Sequence, residues 1–95
     1  MEKLHGTTWI IRDKKEFRDD SGIYPIVDEF VKNQEKEDGV RWFFDLCYAD
    51  WENKTYSVMF NSYNTQEYED YYLSLKVTGD KKEGFEIDII KKTTK

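Results

Sequence analysis

The sequence is poor in cysteine and histidine. Its 95 residues include one cysteine and one histidine. Because a single cysteine, Cys47, cannot form a disulfide within the chain, a reducing setting is expected. No apolar run is long enough for a signal peptide or a membrane span. These absences predict a soluble, cytoplasmic protein held together by one modest hydrophobic core.

Patterns typical of catalytic and metal centres are also missing. The chain contains no GxSxG, Walker, HExxH or CxxC pattern, and its only histidine, His5, lies in an N-terminal segment. A nucleophilic thiol would need a neighbouring base, so Cys47 is expected to be a packed thiol. Residues 50–53, DWEN, lack the glycine and the distal glutamate of a calcium loop. We therefore expect no enzyme, no metal site and no cofactor.

Positive charge is nearly absent from the middle of the chain. Overall, 15 bases and 20 acids give a net charge of −5. Residues 45–70 contain one base, Lys54, against six acids, which equals the whole net charge. Such a field repels nucleic acid and attracts basic partners; the alternative is a solvated face that only keeps the protein soluble. Without a basic patch to neutralise phosphates, direct binding of nucleic acid is not expected.

Aromatic residues, in contrast, make up 17% of the chain and gather near these acids. Residues 61–72, NSYNTQEYEDYY, hold four tyrosines, three acids and no base. One interpretation is two strands joined by a polar connection; the other is a surface that imitates a negative, flat-faced ligand such as DNA. Alternation predicts that Tyr71 and Leu73 belong to the core, while the acids keep one rim of the sheet negative.

One clear helix is predicted over residues 23–36. Its apolar residues recur at helical spacing, Pro25 falls in the first turn, and Ser21 is the expected N-cap. The carboxylates of Asp28 and Glu29 suit the positive N-terminal end of a helix. The apolar stripe consists of Ile23, Ile26, Val27, Phe30 and Val31.

After Gly39 the hydrophobic period changes to two, which predicts strands within residues 40–48, 56–61, 71–77 and 85–90. The first of these would direct Val40, Trp42, Phe44, Leu46 and Tyr48 to one face. Residues 7–12 predict a further short strand, and residues 13–20 fit either a helical turn or a loop. The expected fold is a single α+β domain over residues 1–95: an antiparallel sheet, with a four-strand C-terminal meander plus an N-terminal strand, packed against one main helix.

Several dipeptides carry a resemblance to a known family. They are Asp20 with Ser21 before an apolar run and Pro25, Tyr48 with Asp50, Val58 with Met59, and Glu67 with Tyr68. In these and in the order of strand, helix and meander, the chain resembles the uracil-DNA glycosylase inhibitors of Bacillus phages, which are small acidic DNA mimics. The family's inhibitory acid aligns with either Asp20 or Asp13, and its second helical acid falls at Val31 or Lys32.

The resemblance implies a monomer that forms a 1:1 complex with a basic DNA-binding enzyme, a uracil-DNA glycosylase. An edge strand would lie in the enzyme's DNA groove, and an apolar cavity would capture a DNA-intercalating side chain. The implied cavity residues are Tyr24, Val27, Phe30, Val31 and Met59. The implied stand-ins for phosphate are Asp20, Ser21, Asp28 and Glu29. The expected partner-binding residues are Asp20, Ser21, Tyr24, Val27, Asp28, Glu29, Val31, Met59, Asn64 and Glu67.

Two rival partner classes fit the same acidic, non-catalytic sequence. One rival function is an immunity protein that neutralises a nuclease toxin. The other is a phage inhibitor of a different host defence protein, such as a CRISPR effector. In each case the partner is a basic protein that binds nucleic acid, and the acidic chain meets its nucleic-acid site.

Two residues of the implied cavity should differ in environment. Strand alternation places Met59 on the face opposite Val58 unless a bulge shifts the register. Phe30 is expected to be a buried aromatic whose replacement by alanine costs about 3–5 kcal/mol. Met59 is the adaptable kind of residue used at binding surfaces, so its replacement should cost much less stability.

Overall fold

The chain folds into an antiparallel sheet with helices packed on one face. The computed structural model describes residues 2–64 and 69–93, and within them six strands and two helices are formed. Strand order in the sheet follows chain order from β1 to β6. The elements are β1 Glu2–His5, β2 Thr8–Ile11, α1 Lys14–Asp20, α2 Tyr24–Asp38, β3 Phe43–Asp50, β4 Thr55–Asn64, β5 Glu69–Asp80 and β6 Gly84–Thr93. The predicted α+β class and the C-terminal meander are confirmed.

The N-terminal region contains more structure than its sequence predicts. Strand β1 pairs antiparallel with β2, and Gly6 in the turn between them has a φ of 59°, a left-handed conformation that glycine adopts without strain. Helix α1 starts at the N-cap Asp13, whose side chain accepts a hydrogen bond of 2.6 Å from the Lys15 backbone N–H. Its buried residue, Phe17, anchors this short helix to the core.

Helix α2 matches the predicted helix closely but starts differently. Its N-cap is Ile23, without a side-chain cap, and Pro25 lies in the first turn as expected. Ser21 instead ends α1, where its hydroxyl donates to the Phe17 carbonyl and accepts from the Ile23 N–H at 3.4 Å. The expectation that Ser21 caps the start of the main helix is therefore wrong, because Ser21 is the C-cap of α1 and Ile23 is the N-cap of α2. Gly39, with a φ of 67°, closes α2.

A bulge in β3 changes which residues face the core. The register between β3 and β4 shifts between Phe44 and Leu46, so both Phe44 and Cys47 lie on the core face. The predicted alternation is therefore correct up to Phe44 and wrong for Leu46 and Tyr48, which face the other way. The extra residue at the shift reverses the parity of every later side chain in the strand.

One hydrophobic core lies between the helices and the covered face of the sheet. Tyr71 and Leu73 belong to it, at 7% and 0% exposure, as predicted. Phe30 is only partly buried against this core, so the expectation of a buried aromatic is wrong, and its truncation should cost less than for a fully buried ring. The buried core residues are Ile11, Phe17, Ile23, Val27, Val31, Trp42, Cys47, Ala49, Tyr56, Val58, Phe60, Tyr71, Leu73, Leu75 and Val77. Among the described residues, no helix has the length and apolar character needed to cross a bilayer.

Candidate functional site

Two concave surfaces meet at Phe43, at the end of the sheet where β3 begins. The first, the helix–sheet cleft, has a volume of about 250 Å³ and lies between the helices and the strands. The second, the aromatic patch, lies on the open face of the sheet and consists of Phe43, Asn61, Tyr63, Asp70 and Tyr72. The cleft is lined by Lys14, Phe17, Tyr24, Val27, Asp28, Val31, Lys32, Glu35, Arg41, Trp42, Phe43, Phe44 and Phe60.

Packed aromatic rings form the wall of the helix–sheet cleft. The rings of Phe17 and Phe44 stack with their centroids 4.7 Å apart. Tyr24 meets Phe17 edge-on at 5.9 Å, and Phe60 meets Phe44 edge-on at 6.1 Å. Both arrangements are favourable for aromatic pairs and hold the rings in place. This wall of the cleft is therefore preformed, while charged side chains of Lys14, Asp28, Lys32, Glu35 and Arg41 line the rest of it.

The acids beside the cleft are already occupied. The Asp28 carboxylate forms an ion pair with the Lys32 ammonium at 2.9 Å. The hydrogen bond in this pair raises the pKa of Lys32. The Glu35 carboxylate accepts a 2.9 Å hydrogen bond from the backbone N–H of Trp42, which joins α2 to the segment before β3. Asp28 is thus engaged within α2 and is a weaker stand-in for phosphate than its sequence position suggested.

The aromatic patch exposes large side chains on the open face of the sheet. Phe43, Tyr63 and Tyr72 are 52%, 51% and 46% exposed. Phe43 pairs with Asn61, and Asn61 pairs with Tyr72, so the two rings lie in one row across three strands. The patch borders an open depression of about 470 Å³. Exposed apolar groups concentrated at one place on a small protein are typical of interaction surfaces.

Three acids at this end of the sheet, of which Asp70 belongs to the aromatic patch, have no ion pair among the described residues. Asp45 lies at the β3 bulge, and Glu69 and Asp70 open β5, where Asp70 pairs with Tyr63. All three are exposed, and within residues 2–64 and 69–93 no ion pair engages them. Carboxylates that stabilise nothing locally are available to an external cation.

A cation already contacts the patch from within the chain. The guanidinium of Arg41 lies over the ring of Phe43, 5.5 Å from its centroid. A positive group at this distance from an aromatic face is attracted by the electrons of the ring. The Phe43 ring therefore already contacts one cation, Arg41, and about half of the residue remains exposed.

The structure brings four of the ten predicted binding residues together in the helix–sheet cleft: Tyr24, Val27, Asp28 and Val31. Val27 and Val31 are only 1% and 6% exposed, so they act mainly as core residues. Ser21 is 4% exposed and cannot present its hydroxyl to a partner without rearrangement. Asp20, at the end of α1, and Glu29, on α2, are exposed and accessible.

The remaining predicted residues lie elsewhere. Met59 pairs with Leu46 and Ser74 on the open face, so the implied five-residue cavity is not formed: the sheet separates Met59 from Val27. Asn64 ends β4 opposite Glu69. Glu67 and the side chain of Asn64 lie outside the described residues.

The edge strand implied by the resemblance is also absent at the expected place. Strand β2, which precedes Asp13, pairs with β1 on one side and β3 on the other. A strand with two neighbours has no free backbone edge to lay into a groove. Asp13 is exposed but caps α1, and Asp20 lies on that helix, so neither acid extends an edge strand.

Sequence reasoning missed the main residues of the aromatic patch, Phe43 and Tyr72. A usable signal was the run Trp42, Phe43 and Phe44, because neighbouring side chains of an extended segment point in opposite directions. At least one ring of three in succession must then leave the core. The same argument applies to Tyr71 and Tyr72.

The single thiol of the chain, Cys47, is buried. Burial raises the pKa of the Cys47 thiol to about 12, so the thiolate is scarce at neutral pH, and the predicted packed thiol is confirmed at 0% exposure. No group of three or more histidine, cysteine or acidic side chains is arranged for a metal ion within the part of the chain that the structure describes.

Comparison with protein-family models yields no match for this chain, and neither the curated proteins nor the solved structures provide one.

Proposed function

We propose that this chain is a small acidic inhibitor that binds a basic, nucleic-acid-processing protein and blocks its nucleic-acid site. The observation that carries the proposal is the aromatic patch, where exposed rings lie beside Asp70. Duplex or single-stranded nucleic acid offers a protein negative charge and flat rings. A surface with the same two features competes for the same binding groups.

The physical basis of binding has two parts. The net charge of −5 attracts a basic partner over a distance and speeds encounter. Exposed aromatic rings then hold lysine or arginine side chains by cation–π contact and by burial of apolar area. The Arg41 guanidinium over Phe43 is an internal example of this contact. The same carboxylates repel phosphate, so the partner in this proposal is a protein and not a nucleic acid.

The specific version of the proposal names a uracil-DNA glycosylase as the target and the bacterial cytoplasm as the site of action. Its support is the sequence resemblance around Asp20, Tyr48 and Glu67, together with the acidic surface. The wider version needs only a basic nucleic-acid enzyme and includes the nuclease toxin and the CRISPR effector. The binding surface also differs from the one that the resemblance implies, since it uses the open face and not an edge strand.

Uracil excision from a labelled oligonucleotide tests the specific version. With the purified full chain in molar excess, excision should stop, and the inhibition should weaken steeply as salt is raised, because screening shortens the reach of exposed charges. Full excision at every ratio would reject the glycosylase. The same titration against a DNase toxin domain and a CRISPR effector then tests the wider version.

Matched variants locate the binding surface. Asp70→Asn removes a carboxylate from the aromatic patch, whereas Asp88→Asn removes one from β6 on the same open face, away from the patch. A charged contact in a desolvated interface is worth about 2–5 kcal/mol on truncation, so Asp70→Asn should weaken inhibition strongly and Asp88→Asn slightly. Equal effects would mean that only net charge matters, and the patch would not be the site.

A further inference from the structure

Strand β6 forms one edge of the sheet. Within residues 2–64 and 69–93 it pairs with β5 alone, so no described strand lies beside the backbone N–H and C=O groups on its outer side. The strand is 10 residues long, and its Ile89 and Ile90 are 42% and 62% exposed. A long edge strand with exposed apolar side chains is a template for pairing with a strand of another chain.

A bulge near the middle of this edge restricts what can pair with it. Ile89 pairs with Leu75 and Lys91 pairs with Ser74, so Ile90 is an extra residue in β6. The extra residue reverses the parity of every side chain that follows it. A regular strand would therefore match the two faces of only one half of this edge. A strand with the same interruption would match both halves, and a second copy of this chain supplies such a strand.

Charge is divided between the two halves of β6. Glu86 and Asp88 precede the bulge, whereas Lys91 and Lys92 follow it. Two β6 strands that lie side by side in antiparallel orientation bring the acidic half of each against the basic half of the other. A parallel arrangement would bring like charges together. Because opposite charges across a strand pair are stabilising and like charges are destabilising, the charge pattern favours antiparallel pairing of two identical strands.

We propose that the protein forms a symmetric dimer in which β6 pairs antiparallel with β6 of a second copy. The register that matches both halves places Asp88 opposite Lys91 of the second copy, and both residues lie on the open face. Ile89 then lies opposite Ile90 of the second copy, next to the two-fold axis, and symmetry repeats each pair. This dimer differs from the monomer that the family resemblance implies. It does not depend on the proposed inhibitor function, since no residue of β6 belongs to the aromatic patch.

Sedimentation equilibrium of the full chain measures the association directly. We expect the mass to rise with concentration towards twice the 11.5 kDa of one chain. A mass that stays at 11.5 kDa at millimolar concentration would reject the proposal.

A matched pair of variants locates the interface. Ile90→Lys places a charge at the centre of the proposed interface and should weaken the dimer about tenfold or more. Phe43→Lys changes a similarly exposed side chain on β3, three strands away from this edge, and should leave dimerisation unchanged. An Ile90→Lys chain that dimerises as tightly as the unmodified chain would reject the edge as the interface.

Charge reversal tests the register. Asp88→Lys brings two bases together across the two-fold axis, and Lys91→Asp brings two acids together, so each variant alone should dimerise about tenfold more weakly or worse. Net charge does not account for the first loss, because Asp88→Lys makes a chain of net charge −5 less negative and reduces the general repulsion between copies. Both positions are exposed, and circular dichroism verifies that each variant folds.

An equimolar mixture of these two variants provides the rescue. The new lysine of one chain then lies opposite the new aspartate of the other, and the unchanged Lys91 lies opposite the unchanged Asp88. The mixture should therefore dimerise about as tightly as the unmodified chain. A mixture that associates no better than the separate variants would reject the proposed dimer.

Discussion

The covered and open faces of the sheet use the same strands for different purposes. On the covered face, Cys47, Val58 and Leu73 are all 0% exposed and pack beneath the helices. On the open face, Phe43 and Tyr72 are about half exposed and lie beside Asp70. Because strand side chains alternate, a single strand carries both kinds of residue. For two adjacent residues of a strand, replacing the one on the covered face should therefore lower stability, whereas replacing the one on the open face should weaken partner binding.

The largest expected contrast is between adjacent residues of β5. Leu73→Ala removes a fully buried side chain and should lower the free energy of unfolding by about 2–5 kcal/mol. Tyr72→Ala removes an exposed ring and should cost less than about 1 kcal/mol, yet weaken partner binding more. Urea denaturation, run beside the excision assay, measures both effects. Equal losses of stability would mean that the open face also contributes to the core.

Much of this division could be predicted from the sequence. Alternation in β4 and β5 correctly assigned Tyr71 and Leu73 to the core and placed Met59 on the face opposite Val58. Alternation failed in β3, because the bulge before Leu46 adds a residue without any change in hydrophobicity that would reveal it. Short β1 was missed for a related reason: four residues are too few to show a period.

The candidate site was less predictable than the fold. Grouping Met59 with the helix residues required knowing which face the helices cover, and a sequence pattern does not specify this. Of the cleft residues on α2, Val27 and Val31 belong to the predicted apolar stripe, and Tyr24 and Asp28 were implied by the family resemblance. Arg41 and Trp42 precede β3 and join the site only through tertiary packing, so the sequence predicted part of the cleft and long-range packing determined the rest.

A base on the covered face offers the next test. The Lys92 ammonium donates to Asp38 at 3.0 Å and to Gln34 at 3.1 Å, and thereby ties β6 to the end of α2. Lys92→Met retains the aliphatic packing but leaves both acceptors without this donor, which should cost about 1–3 kcal/mol. Lys91→Met, one residue earlier and on the open face opposite Ser74, is the control and should be nearly neutral. Thermal or urea unfolding distinguishes them, and a neutral Lys92→Met would show that the contact adds nothing.

Met59 should show a smaller effect on stability, because it lies half-buried on the open face. Met59→Ala is expected to cost about 1 kcal/mol, well below Leu73→Ala. If the partner covers the row of Met59 beside the aromatic patch, dissociation of the complex should be faster in this variant. Surface plasmon resonance measures that rate once a target is in hand. A loss of stability equal to that of Leu73→Ala would show that Met59 contributes as much to stability as a fully buried core residue.

The smallest expected effect concerns a carboxylate that serves the fold and not a partner. Asp50 accepts hydrogen bonds from the side chain of Asn53 at 2.8 Å, from its backbone N–H at 3.1 Å and from Thr7 at 2.8 Å. These bonds, led by the Asn53 side chain, lower the pKa of Asp50 below its ordinary value of 3.8. A depressed pKa in the folded state contributes stability that is fully present above the ordinary pKa and is lost as pH falls through the lowered value.

Asp50→Asn should therefore reduce stability at neutral pH by a small amount, and the difference from the unmodified chain should shrink as the pH falls below about 4. Asp70→Asn is the control, since no ion pair within the described residues engages Asp70, and it should change stability little at neutral pH. Urea unfolding across the acid range provides the comparison. A difference for Asp50→Asn that stays constant through this range would show that the bonds to Asp50 do not depend on its charge. The contrast between Asp50, which serves the fold, and Asp70, which is free to meet a partner, would then rest only on the effect of Asp70→Asn on inhibition.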